Sequence, residues 1–329
     1  MRFGYACIST LIPDSSPAKT VTVKRLETIA DPDARIEICR RVARTNLQNT
    51  RRLIFHNAAS GLLLYRITPQ LVPLATHPIM AGWDWESDLA DDFAAVGEVM
   101  RAFGMRISSH PGQYTVLGSA RPEVVRAAVA DLEYHARLHE RLDHGSAGRI
   151  ILHVGGAQGG KEAAMERLAQ NLSLVSPSVR KRLTLENDDT TYGTGEVLPF
   201  CQRLGLPMTF DIHHHQLNPA GAELESALPA VLATWSADEP PKMHVSSPRD
   251  AQNPKAHADY VDAQQFRTFL AVAHTVGFEP FDVMVEAKMK DAAAIKLAAD
   301  LGIALAGRVI GPGNQIGAIE SALPAPPTL

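Results

Sequence analysis

Short apolar runs alternate along this chain with longer stretches of helical periodicity. RFGYACI (2–8), LLLYRI (62–67), MRISSH (105–110), RIILHV (149–154), RLTLEN (182–187), PMTFDI (207–212), PKMHVS (241–246) and FDVMVE (281–286) read as strands. Between them, 35–60, 86–103, 122–142, 161–174, 194–204, 223–235, 262–276 and 291–301 carry apolar residues at helical spacing. Gly61, Gly104, Gly205 and Gly277 stand where helices should stop, and Pro122 near a helix start. Eight such units predict an α/β fold, a single-domain (β/α)8 TIM barrel over residues 1–305. A doubly wound open sheet is the runner-up, but no GxGxxG follows the first strand. Residues 9–34 read as a long first βα connection, and 306–329, ending LPAPPTL, as a partly irregular tail outside the barrel.

The polar residues that end these strands change the picture from fold to chemistry. His110, His153, Glu186, Asp211 and Glu286 close successive strands, and Lys242 and His244 lie in the seventh. In a barrel all of them converge on the C-terminal mouth, where active sites of this fold are built. His77, His214 and His257 follow in loops at the same rim. One strand-end histidine is more often a hydrogen-bonded structural residue than a ligand. Carboxylates inside apolar strands, as in LTLEND and VMVEAK, are harder to dismiss, since burying them unpaired costs several kcal/mol. Mixed imidazole and carboxylate donors suit manganese, zinc or iron, and nine of them exceed what one ion needs. Two or three divalent ions are expected, a set that activates water and clamps a phosphodiester. His56, His135, His139, His144 and His274 fall in or beside outer helices and read as packing or solvated residues; His213 and His215 flank His214.

Composition narrows the partners. The chain has 329 residues, 45% of them hydrophobic, and a net charge of -4, which argues against a general polyanion binder but permits a local basic cleft. Cys7, Cys39 and Cys201 are far apart and lack a zinc spacing, so a reducing, cytoplasmic setting is expected. No apolar stretch approaches the roughly 20 residues of a membrane span. In SSHPGQYTVLGS, Pro111-Gly112 turns the chain sharply after His110 and lifts Gln113 and Tyr114 onto a loop.

SHPGQY, LHVGG, LEND, FDIHHHQLNP, KMHVSSP with AHADY downstream, and VEAK resemble the UV damage endonuclease family, from Gly4 to about Lys288. The resemblance implies a barrel related to apurinic endonucleases and xylose isomerases. It implies an endodeoxyribonuclease that nicks DNA 5′ of a photoproduct or an abasic site and leaves a 3′-hydroxyl. The implied metal ligands are His77, His110, His153, Glu186, Asp211, His214, His244, His257 and Glu286, with Lys242 carboxylated at Nζ as a further anionic ligand. Glu186, Glu286 and Lys242 are the implied catalytic residues, and Mn2+ the expected metal, with Zn2+, Mg2+ or Co2+ as alternatives. Tyr5, Gln113 and Tyr114 would meet the lesion, the last two as a wedge filling the vacated base stack. Arg66, Arg106, Arg249, Lys255, Lys288 and Lys290 are candidate phosphate contacts, Arg66 and Arg106 equally readable as barrel packing. The expected partner is double-stranded DNA containing lesions, met by a cytoplasmic, nucleoid-associated monomer with no membrane attachment. Ser9 departs from an asparagine in the family pattern and His213 from an apolar residue. A sugar isomerase would need the same metal-lined barrel but has no evident use for the Gln-Tyr loop. A non-catalytic binding module would not need so many buried ligands.

Overall fold

The computed structural model describes residues 1–142, 148–310 and 316–319. Each apolar run contains one short strand: β1 (Phe3–Ala6), β2 (Leu64–Ile67), β3 (Arg106–Ser109), β4 (Arg149–His153), β5 (Leu183–Glu186), β6 (Met208–Asp211) and β7 (Lys242–Val245). A hairpin of β8 (Pro248–Asp250) and β9 (Asn253–His257) intervenes before the eighth barrel strand, β10 (Asp282–Val285). The eight barrel strands are parallel and close in the order β1-β2-β3-β4-β5-β6-β7-β10. The barrel expected from the sequence is the one observed. Helices cover the outer face while polar side chains enter the inner one, so the strands are buried on both sides and read as near-continuous apolar runs.

Local chemistry sets the helix limits. Asp31 caps the helix Pro32–Ala59 by accepting from the Asp33 N–H, with Pro32 at the first helical position. Gly104 and Gly205 end the helices Ala90–Phe103 and Thr194–Leu204 at φ 63° and 64°, a left-handed turn that favours a residue without Cβ. The expected helix 86–103 is broken at Leu89 into Trp85–Asp88 and Ala90–Phe103. The β8–β9 hairpin was not anticipated.

The tail begins with a hairpin. β11 (Gly307–Ile310) pairs antiparallel with β12 (Ile316–Ile319), and Arg308 Nη1 donates to the Phe103 carbonyl at 2.8 Å. That bond ties the segment to the barrel's outer layer. Residues 311–315 and 320–329, with the LPAPPTL motif, lie outside the described residues, as does His144.

Charge closes the N-terminal end of the barrel. Arg106 donates through Nη1 to Asp282 Oδ2 and to the Pro240 carbonyl, both at 2.8 Å, and through Nη2 to Glu239 Oε1 at 2.5 Å. Arg149 also pairs with Glu239, and both guanidinium groups stack over Trp235. Arg106 is therefore a barrel-closing residue, at the opposite end from the mouth, and its candidacy as a phosphate contact is withdrawn. Among the described residues no helix is long and apolar enough to cross a membrane.

Candidate metal centre

At the mouth the donor groups converge on Glu186. Three groups have ligand atoms lying within 4.8 Å of one another: His110, His153 and Glu186; Glu186, Asp211 and His214; and Glu186, His244 and Glu286. Among the described residues Glu186 alone belongs to all three. Its Oε2 lies 3.0 Å from His110 Nε2 and 3.6 Å from His153 Nε2. Its Oε1 lies 2.7 Å from His244 Nδ1 and 3.7 Å from His214 Nδ1. Strand ends account for this convergence: Glu186 and Asp211 are the last residues of β5 and β6, His153 ends β4, and His110 and Glu286 follow β3 and β10.

Asp211 has two tasks. Its Oδ1 accepts from the His214 N–H at 2.7 Å and so starts the short helix Ile212–Leu217 that brings His214 back over the mouth. His214 Nδ1 donates to the Asn187 carbonyl at 2.9 Å, which orients the ring. Asn187 in turn spans β5 and β6 by donating to the Asp211 carbonyl and accepting from the Asp211 N–H.

The donor set fits divalent metal. Asp211 Oδ2 and His153 Nδ1 are buried without a hydrogen-bond partner, an expensive arrangement for polar atoms unless something else engages them. Three carboxylates among imidazoles supply the hard and borderline donors such ions take.

The electrostatics follow from burial and crowding. Burial alone would raise the Glu186 carboxyl, but His244 and His153, with hydrogen bonds from His110 and His244, hold it well below the usual carboxylate range. Burial likewise opposes Glu286, which Arg66 and His244 hold ionised. Asp211 is pushed up to about 7 by burial, against the pull of His214. Burial would lower His214, yet Asp211 and Glu186 raise it to about 9.

A pH dependence follows. Protein stripped by a chelator should lose stability between pH 7 and 9: a raised histidine pKa stabilises the fold below the unfolded value of 6.5, and that contribution vanishes as pH passes about 9. Metal affinity should rise over the same interval, because a cation displaces the His214 proton. Melting curves with and without divalent metal at pH 7, 8 and 9 test this. A metal-induced increment that does not grow with pH would remove His214 from the ligand set.

Other candidates lie at varying distance from this centre. His77 Nδ1 accepts from the Ile79 N–H at 3.1 Å, capping a short 3-10 turn, and His77 belongs to none of the three groups. His257 ends β9 and is also outside them; its ring faces His213 at 6.0 Å. Lys242 is fully buried one layer below His244, with Nζ donating to the Ile107 carbonyl at 3.3 Å. Burial, reinforced by Arg106, holds its amine well below the ordinary lysine range.

Gln113 and Tyr114 stand exposed on the β3 loop, Tyr114 at 82%, while the next residue, Thr115, is buried and bonded to Asp131. Tyr5 is corrected: fully buried in β1, it packs edge-on to Tyr65 and donates its hydroxyl to Asn57 Oδ1 at 2.8 Å, facing the outer helix layer and presenting no surface to DNA. Ser9 donates to Asp291, as do the Thr10 N–H and hydroxyl, so the departure at Ser9 anchors the first loop to the helix Lys290–Asp300. Arg249, Lys255 and Lys288 are exposed around the rim and Lys290 partly so. Sequence reasoning missed Asn187, Asp291 and the place of Arg66, which is buried and donates through Nη2 to Glu286 Oε1 at 2.5 Å and His244 Nε2 at 2.7 Å.

Comparison with known proteins agrees with this geometry. The family model described as UV-endonuclease UvdE matches residues 1–311. A UV DNA damage endonuclease of Bacillus cereus (strain G9842) is 38% identical over 302 residues, 92% of this chain and 94% of the relative. The crystal structure of SacUVDE superposes with a TM-score of 0.82 at 29% identity, covering 92% of this chain and all of that one. Endonuclease IV from Thermus thermophilus, at 16% identity, TM-score 0.55 and coverage of 92% and 98%, shares the fold. The sugar isomerase reading is not favoured. By the family match and the identity over nine-tenths of its length, the chain belongs to the UV-endonuclease family UvdE.

Proposed function

We propose that the protein is a metal-dependent endonuclease that nicks double-stranded DNA immediately 5′ of UV photoproducts and abasic sites, leaving a 3′-hydroxyl. The observation that carries this reading is the sharing of Glu186 by three donor groups at the barrel mouth of a UV-endonuclease chain. Two or three ions, Mn2+ before Zn2+, Mg2+ or Co2+, would be held by His110, His153, Glu186, Asp211, His214, His244 and Glu286, with His77 and His257 completing the rim. When bound, such ions polarise a phosphate and lower the pKa of water. The chain's own residues orient the reaction: Asn187 fixes the His214 ring, and Glu186 spaces the three groups. The neutral Lys242 amine is suited to add CO2 and release one proton, which would place an anionic carbamate beneath His244. The enzyme would act as a cytoplasmic monomer on nucleoid DNA.

Lesion recognition is assigned to Gln113 and Tyr114. Damaged nucleotides unstack more easily than sound ones, and an exposed aromatic face with an amide beside it can fill the gap. Stacking is worth about 1 to 3 kcal/mol per base, so replacing both by alanine should slow nicking of damaged duplex roughly 10- to 100-fold. Metal content should stay unchanged and the loss be smaller on unpaired substrate. Wild-type behaviour of the double variant on damaged duplex would remove the wedge.

The direct test incubates purified protein and Mn2+ with UV-irradiated and unirradiated supercoiled plasmid, with a chelator control. Nicking confined to irradiated plasmid and abolished by chelation is expected; equal nicking of both, or none with metal present, overturns the proposal. Binding should weaken linearly in log affinity against log salt, and Lys255→Ala should reduce the slope by about 1. An unchanged slope would take Lys255 out of the phosphate track.

A further inference from the structure

His213 is buried, 2% exposed, and neither ring nitrogen has a hydrogen-bond partner. The Pro254 carbonyl of β9 lies beside the ring outside hydrogen-bonding geometry. A buried imidazole without partners destabilises a fold in a way that an apolar side chain of similar size does not. Two other imidazoles lie near the ring of His213. Its ring stands 6.0 Å from that of His257, nearly perpendicular at 82°, and 6.4 Å from that of His214. His213 and His214 are consecutive on the helix Ile212–Leu217, yet only His214 reaches the Glu186 cluster, while His213 meets the base of the β8–β9 hairpin.

We infer that His213 is an additional metal donor in this chain, pairing with His257 to hold a divalent cation between the helix Ile212–Leu217 and the β8–β9 hairpin. The inference rests on reading the mouth as a metal centre and adds to it a ligand outside the donor set assigned above. Two imidazoles select borderline ions such as Zn2+ or Co2+, with water or a phosphate oxygen in the remaining positions. A cation there also has a mechanical effect. It fastens an exposed hairpin, which carries Arg249 and Lys255, to the barrel wall.

The test titrates the chelator-stripped full-length protein with Co2+, following the visible absorption of the bound ion, and compares wild type with His213→Leu and Glu186→Gln. His213→Leu is expected to weaken one class of Co2+ site at least about tenfold. Its other classes should be unchanged, and its metal-free melting temperature should not fall. Unaltered number and affinity of Co2+ sites in folded His213→Leu overturns the inference and leaves the Glu186-centred reading standing. Absence of Co2+ binding in the wild type overturns both. Should the leucine variant not fold, ring-nitrogen NMR of the wild type with Zn2+ decides: a His213 resonance shift on saturation supports the inference, and an unmoved resonance overturns it.

Discussion

Glu186→Gln is expected to reduce nicking by about 10³-fold or more, equivalent to roughly 4 kcal/mol of barrier, while leaving the barrel folded. The substitution keeps volume and removes one charge, but that charge is shared. His110 and His244 are hydrogen-bonded to it, and His153 and His214 lie within 3.7 Å, so four rings of the proposed donor set lose their common partner at once. Loss at a single-group ligand would be partial; loss at the shared carboxylate disables all three groups together. Glu286→Gln touches one group and should cost less. Circular dichroism, metal analysis and plasmid nicking on the same preparation check this. Turnover near wild type at unchanged metal content would exclude the cluster from the reaction.

The second large effect lies at the opposite end of the barrel and concerns stability. Asp282→Asn should destabilise the protein by about 3 kcal/mol, the lower part of the range for breaking a buried ion pair from one side. Asp282 is 2% and Arg106 3% exposed, and Asp282 also accepts from the Arg2 N–H at 2.8 Å, sealing the chain start against β10. Removing its charge leaves Arg106 buried with the Pro240 carbonyl and Glu239, and Glu239 is already shared with Arg149. Urea unfolding at constant m-value measures the change. A shift under about 1 kcal/mol would show that Glu239 suffices for the barrel floor.

Most of the barrel was legible in the sequence because its strands are short, apolar and doubly buried, and because Gly104 and Gly205 mark helix ends by a conformation few other residues accept. The convergence at the mouth was legible for a related reason, since Glu186 and Glu286 interrupt runs that otherwise exclude charge. Position along a strand was the neglected signal for Arg106. It opens β3 where His110 follows its end, roughly 13 Å apart at about 3.3 Å per residue, so the two sit at opposite ends of the barrel. Side-chain parity was the neglected signal for Tyr5. Neighbouring residues of a strand face opposite ways, and the close approach of Gly4 to Leu64 leaves the inner face no room there. The β8–β9 hairpin left no trace because its residues are largely exposed, so nothing constrains them to alternate. Asn187 acts through backbone groups, and Asp291 chiefly through the Ser9 and Thr10 hydroxyls and His56, partners brought near only by the closed fold.

Arg66 gives the site a history as well as a geometry. Glu186, Asp211 and Glu286 would repel one another if gathered bare into the interior, yet a guanidinium from β2 already sits against Glu286 and His244. Under the proposed metal dependence, the chain would thus carry its own counter-charge at the place that receives cations, and its folding would not require them. On that reading a molecule folded without metal would be loaded afterwards. Chelation should accordingly silence the protein without unfolding it, unlike small domains whose fold is created by their ion.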